Sequence, residues 1–164
     1  MQAESYFTEL YNEDLEWLTI DPGVGGTGYA VWWGSDLVES GSITPKSKGS
    51  WSEKVLEISQ GLRLNFNLAD VMFYEQPQAL KNACTAGGDL VKLSILAGII
   101  HAKGMDLRHQ PCGVEINKWK GNMKKELCTK RILSKMKKLG WKPTTNKDHE
   151  TDAVGIGLYL LNKF

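Results

Sequence analysis

The chain has 164 residues, 41% of them hydrophobic, and its 20 basic and 19 acidic side chains leave a formal charge of +1. That length supports one domain with a buried core and excludes two of ordinary size. The N-terminus lacks the succession of a secretion signal and no apolar run reaches membrane length, so an intracellular chain without a membrane segment is expected.

Residues 1–15 carry acidic charges only, Glu4, Glu9, Glu13 and Asp14 among them, and read as an acidic N-terminal extension. Tyr6, Phe7, Leu10 and Tyr11 share a helical face there. A single domain is expected over 16–164. It opens with three β-rich segments, 15–20, 28–33 and 37–43, separated by Gly, Pro and Ser-Asp turns, which predict three strands joined by hairpins. A helix follows up to the Asp70 boundary. Ser50 and Glu53 fit a capping box at its start, and Trp51, Val55, Ile58, Leu62 and Phe66 recur at helical spacing.

The run "VMFYE" at 71–75 ends in a carboxylate and reads as a buried strand. After a loop over 76–88, residues 89–104 form a mostly apolar helix with Asp89 as N-cap, and 107–111 look like another strand. Residues 123–139 are a basic amphipathic helix stopped by Gly140, and 150–162 a last helix with Asp152 in its first turns. The expected fold is α/β, with a mixed five-stranded sheet flanked by helices. Cys84, Cys112 and Cys128 are odd in number and lack CxxC spacing, which disfavours a disulfide framework or a zinc site.

Charge is uneven along the chain. Between Lys118 and Lys147 eleven basic residues face only Glu126. Such a block is either a solvated helix face or a surface for phosphates, and Trp119 and Trp141 lie inside it.

Three carboxylates fall at element ends. Asp21 ends the first strand, Glu75 ends the fourth, and Asp152 opens the last helix, with His149 one turn before it and Asp148 beside that. Each has an ordinary explanation in a turn, a strand end or a helix N-terminus. If the first and fourth strands are parallel neighbours, however, all three emerge at one edge. Gathered there they repel one another unless a cation neutralises them, and oxygen ligands of this kind suit Mg²⁺ or Mn²⁺. Two such ions support phosphodiester hydrolysis.

The segments "IDPGVGGTGYAVW", "YEQPQALKNACTAGGDLVKL" and "DHETDAVGIGLYL", in this order and spacing, resemble the RuvC family of Holliday junction resolvases in the RNase H-like nuclease superfamily. "INKWKGNMKKE" is similar to its phage-borne branch. The resemblance implies two Mg²⁺ or Mn²⁺ ions held by Asp21, Glu75, His149 and Asp152. Most relatives have an aspartate where this chain has His149, and Asp148 is the alternative ligand. It also implies DNA contacts by Lys81 and Asn82 after Glu75, by Gln78 at a position where relatives often carry an aromatic, and by Lys118, Lys120, Lys124 and Lys125. Trp119 either stacks on a base or anchors its loop in the core.

The implied activity is hydrolysis of four-way DNA junctions by a twofold-symmetric homodimer, in the bacterial cytoplasm and phage-encoded. Residues 89–104 are the expected dimer surface. Another branched DNA or an RNA–DNA hybrid as substrate, or a catalytically silent DNA-binding scaffold, are the competing expectations.

Overall fold

A computed structural model describes residues 15–78, 87–107, 111–145 and 148–164. Residues 1–14 of the expected extension, Lys81, Asn82 and Cys84 lie outside them. Five strands, β1 (Glu16–Asp21), β2 (Thr27–Trp33), β3 (Asp36–Ile43), β4 (Val71–Gln76) and β5 (Cys112–Glu115), form one sheet in the order β3-β2-β1-β4-β5. The hairpin strands β1, β2 and β3 are antiparallel, whereas β4 and β5 continue parallel to β1. The mixed sheet expected from the sequence is therefore present.

Strand alternation divides the core between the two faces. Trp17, Ala30, Trp32, Phe73 and Val114 point to one face, where α5 (Lys125–Lys138) and α6 (Asp148–Leu160) cover them. Leu18, Ile20, Val31 and Met72 point to the other, under α1 (Trp51–Gly61) and α3 (Gly87–Gly104). Trp17 stacks on Trp32 with centroids 5.0 Å apart. The Thr19 hydroxyl then ties α6 to β1: it donates to the Ala153 carbonyl at 2.8 Å and accepts from the Trp32 indole at 3.0 Å.

Several elements differ from the sequence reading. The first helix breaks at Leu62, and α2 (Arg63–Leu68) continues as a separate turn. A fifth strand lies at Cys112–Glu115, where Cys112 and Val114 supply the buried positions beside β4; residues 108–110 of the strand expected at 107–111 lie outside the described residues. A single-turn helix, α4 (Ile116–Trp119), follows it directly. The Ser50–Glu53 capping box is formed, but Trp51 is 37% exposed instead of joining Val55 and Ile58 in the core. Cys112 and Cys128 are buried. Among the described residues no helix is long and apolar enough to cross a membrane.

Candidate active site

The sheet register explains how Asp21 and Glu75 meet. The parallel register of β1 and β4 runs as far as Ile20 opposite Tyr74, so the next step along both strands sets Asp21 beside Glu75. Alternation sends both toward α6, since Thr19 and Phe73, two residues earlier, face that side. On the other flank Asp21 pairs with Gly28 of β2. A Cβ at Gly28 would run into the His149 carbonyl, so the absent side chain lets the first turn of α6 lie against the strand end.

That turn delivers His149 and Asp152, three residues apart and hence on neighbouring helix positions. His149 Nδ1 lies 2.6 Å from Asp21 Oδ2, and its ring passes beneath Gly23, where a Cβ would come within 2.7 Å of it. Asp148 points elsewhere: it is exposed and pairs with Lys125 at 2.8 Å. Of the two candidate fourth ligands, His149 is the one at the carboxylates.

A segment after β5 closes the site. Trp119 is 2% exposed and packs in the core, and its indole donates to Glu75 Oε2 at 3.0 Å. An indole so enclosed cannot stack on a base, so Trp119 orients Glu75 instead. Lys120 follows, with its ammonium 2.7 Å from Asp152 Oδ2 and 4.5 Å from the Trp119 ring centroid. Sequence reading groups Lys120 with the DNA-contacting lysines. The structure puts it among the carboxylates, whereas Lys118 and Lys124 are exposed outside them. Gln78 is half-buried two residues beyond β4, at the same edge.

Electrostatics show that these groups share one field. Burial pushes the Asp21 carboxyl above its usual range, with the His149 bond opposing and Asp152 adding to the rise. Burial, and then the Asp21 charge, raise Glu75 to about 7. Burial works against the Lys120 ammonium, but the Asp152 bond and the charges of Asp152, Glu75 and Asp21 hold its pKa above the ordinary lysine value. The Asp21 bond likewise raises His149 against the effect of burial.

Among the described residues no three His, Cys, Asp or Glu side chains are gathered tightly enough to hold an ion as they stand. Asp21 is turned to His149, Glu75 to Trp119 and Asp152 to Lys120. The donor set nevertheless fits a hard divalent cation. Asp152 Oδ1 is buried without a hydrogen-bond partner, and two neighbouring carboxylates resist ionisation without more positive charge nearby.

No family model and no curated protein matches the sequence. Solved structures match the fold. Thermus thermophilus RuvC in complex with a Holliday junction substrate aligns with a TM-score of 0.67 at 18% identity, over 88% of this chain and 92% of that one. The yeast mitochondrial Holliday junction resolvase aligns at 0.56 and 9% identity, over 97% and 86%. Fowlpox virus resolvase with its substrate Holliday junction DNA aligns at 0.55 and 13%, over 89% and 93%. The chain has the RuvC-type, RNase H-like fold.

Proposed function

We propose that this protein is a metal-dependent endonuclease that resolves four-way DNA junctions. The observation that carries the reading is the meeting of Asp21, Glu75 and Asp152, from three remote segments, at one edge of a fold shared with Holliday junction resolvases. Asp21, Glu75, Asp152 and His149 would hold two Mg²⁺ or Mn²⁺ ions, after Lys120 moves aside from Asp152. Bound there, the ions would neutralise the carboxylates and lower the pKa of water.

The chain's own groups supply the rest. Asp21 fixes the His149 ring, and Trp119 fixes Glu75. Released from Asp152, the Lys120 ammonium would stabilise the charge that develops on the phosphate. Lys118, Lys124, Lys125 and Gln78, with Lys81 and Asn82, would hold flanking phosphates and bases and so align the strand. Hydrolysis adds the water oxygen to phosphorus and breaks its bond to the 3′ oxygen, leaving a 5′-phosphate and a 3′-hydroxyl. The basic face suits a chain working where DNA is accessible, as in a bacterial cytoplasm during phage growth.

Resolution needs two cuts, so a twofold homodimer is part of the proposal. α3 buries Leu96 and Ile100 but leaves Val91 58% and Ile95 40% exposed, next to Leu56 of α1 at 57%. This apolar face continues into a groove between α1 and α3 lined by Val55, Leu56, Ile95 and Ile99, and a second copy would cover it. The function is tested by incubating the protein in Mg²⁺ with a synthetic four-way junction, a flap, a fork, an RNA–DNA hybrid and linear duplex. Symmetric paired nicks in the junction, well ahead of the other substrates, are expected. Binding without nicks would leave a DNA-binding scaffold, and preferred cutting of a flap, fork or hybrid would transfer the proposal to that substrate.

A further inference from the structure

Beside the carboxylate edge the surface drops into a groove of about 670 Å³ whose lining, His149 apart, takes no part in the chemistry described above. Its walls are the 22–25 turn, Trp51 and Lys54 of α1, and Lys92 and Leu93 of α3, and His149 closes the end toward the catalytic centre. Trp51 and Lys54 are three apart, so they share a helix face. The helix terminus itself cannot receive an anion freely, because Ser50 and Glu53 already close its first turn. A ligand here would be held by side chains.

The walls are chemically specific. A tryptophan 37% exposed at the start of a helix offers an aromatic face to whatever enters. Lys54 makes no ion pair among the described residues. Lys92 pairs with Asp89 at 3.2 Å, but Asp89 is exposed and Lys92 partly so, and such pairs are weak in water, so a phosphate can compete for the ammonium. Asp89 is also the one acidic wall residue, and it places the anion nearer Lys54. Among the described residues that line this groove, Trp51 is the one with a large aromatic side chain, so a base entering it would stack there.

We propose that this groove receives one unpaired nucleotide next to the scissile phosphate, its base stacked on Trp51 and its phosphate held by Lys54 and Lys92. The inference rests on the nuclease reading and adds a selectivity element to it. The volume lies within the range of about 300–1,000 Å³ typical of sites for single small ligands. Duplex DNA keeps its bases stacked and cannot offer one, whereas a branch point can. An aromatic face accepts any base, so the groove would read structure rather than sequence.

The test uses the full chain and a four-way junction carrying 2-aminopurine at nucleotides flanking the cut. Wild type is expected to quench the fluorescence, Trp51→Phe to keep most of the quench, and Trp51→Ala to lose it. Trp51→Ala and Lys54→Ala should bind the junction about tenfold more weakly while changing affinity for linear duplex about twofold or less. Gly25→Glu gives an independent variant. A Cβ there meets nothing within 4 Å, so the fold should tolerate a carboxylate placed at the groove, and junction binding should fall.

Trp51 also borders the apolar α1–α3 groove, so sedimentation of each variant is part of the experiment. An unchanged dimer with lost quench supports the subsite. Trp51→Ala turning monomeric would reassign the residue to the subunit contact and overturn it. A wild type that cuts junctions while Trp51→Ala quenches and binds equally well would overturn the subsite alone. A wild type that neither binds nor cuts them would overturn the nuclease reading, and this inference with it.

Discussion

Asp21 Oδ2 and His149 Nδ1 lie 2.6 Å apart across 128 positions of sequence. This contact joins the end of β1 to the first turn of α6, the two elements that carry the expected first and last metal ligands. His149→Asp should keep metal-dependent cutting, since a carboxylate there supplies an oxygen donor at the same place. His149→Ala should lower metal affinity by about tenfold to a hundredfold. Titration of cleavage rate against Mn²⁺ concentration measures both, and equal midpoints for wild type and His149→Ala would remove His149 from the ligand set.

Lys118 and Lys120 should separate kinetically, because one is exposed and the other sits against Asp152. Lys120→Ala should reduce the single-turnover cleavage rate by about a hundredfold with a smaller change in binding. Lys118→Ala should leave that rate nearly unchanged and reduce the slope of log affinity against log salt by about one. A flattened salt slope for Lys120→Ala with no loss of rate would return Lys120 to the phosphate-contacting group.

The fold was legible where local pattern and tertiary position agree. Alternation in β1 and β2 is set by burial on two faces, and the Ser50–Glu53 cap depends on neighbouring residues alone, so both can be read from sequence. The Asp21–Glu75 pair was legible because strand ends and parallel order suffice to place it. Contacts fixed by packing were not. α4 has four residues and no side-chain cap, too little for periodicity, yet it decides that Trp119 is buried and that Lys120 enters the cluster. A strand at Cys112–Glu115 carries only two inward side chains, too few for alternation to mark it, and its pairing with β4 is what sets it. Trp51 fits the helical apolar stripe, but as the first residue of α1 it faces the groove.

Glu150 carried no signal in the sequence and is fully buried between two candidate ligands. Its carboxylate accepts from the Ser40 hydroxyl at 2.6 Å, from the Thr144 amide at 2.6 Å and from the Thr145 amide at 2.7 Å, and also from the Thr145 hydroxyl. These bonds tie the start of α6 to β3 and to the segment before it. Glu150→Ala leaves the buried Ser40 hydroxyl and the part-buried Thr144 and Thr145 donors without their acceptor and should cost roughly 2–4 kcal/mol in urea denaturation. A loss well under 1 kcal/mol would show that solvent replaces the carboxylate without penalty.

Stability of the metal-free protein should fall as pH rises. Glu75 has a folded pKa of about 7 against an ordinary value of 4.5, so the folded state binds the proton more tightly than the unfolded state. Its favourable contribution is complete below pH 4.5 and disappears as pH passes about 7. Asp21 and His149, both raised, act with the same sign. Thermal melts in chelator should therefore give a higher Tm at pH 5 than at pH 8, with a smaller difference in Glu75→Gln. A Tm that rises over this interval, or a Glu75→Gln profile identical to wild type, would contradict the shared field.

Junction cleavage by wild type and Asp21→Asn, with and without Mg²⁺, tests the central claim most directly. The account predicts symmetric nicks by wild type only in Mg²⁺, and no nicks by Asp21→Asn at unchanged junction affinity, because the substitution removes a metal-binding oxygen and leaves the basic surface intact. Cutting by Asp21→Asn in Mg²⁺ at the wild-type rate, or by wild type in chelator, would contradict it.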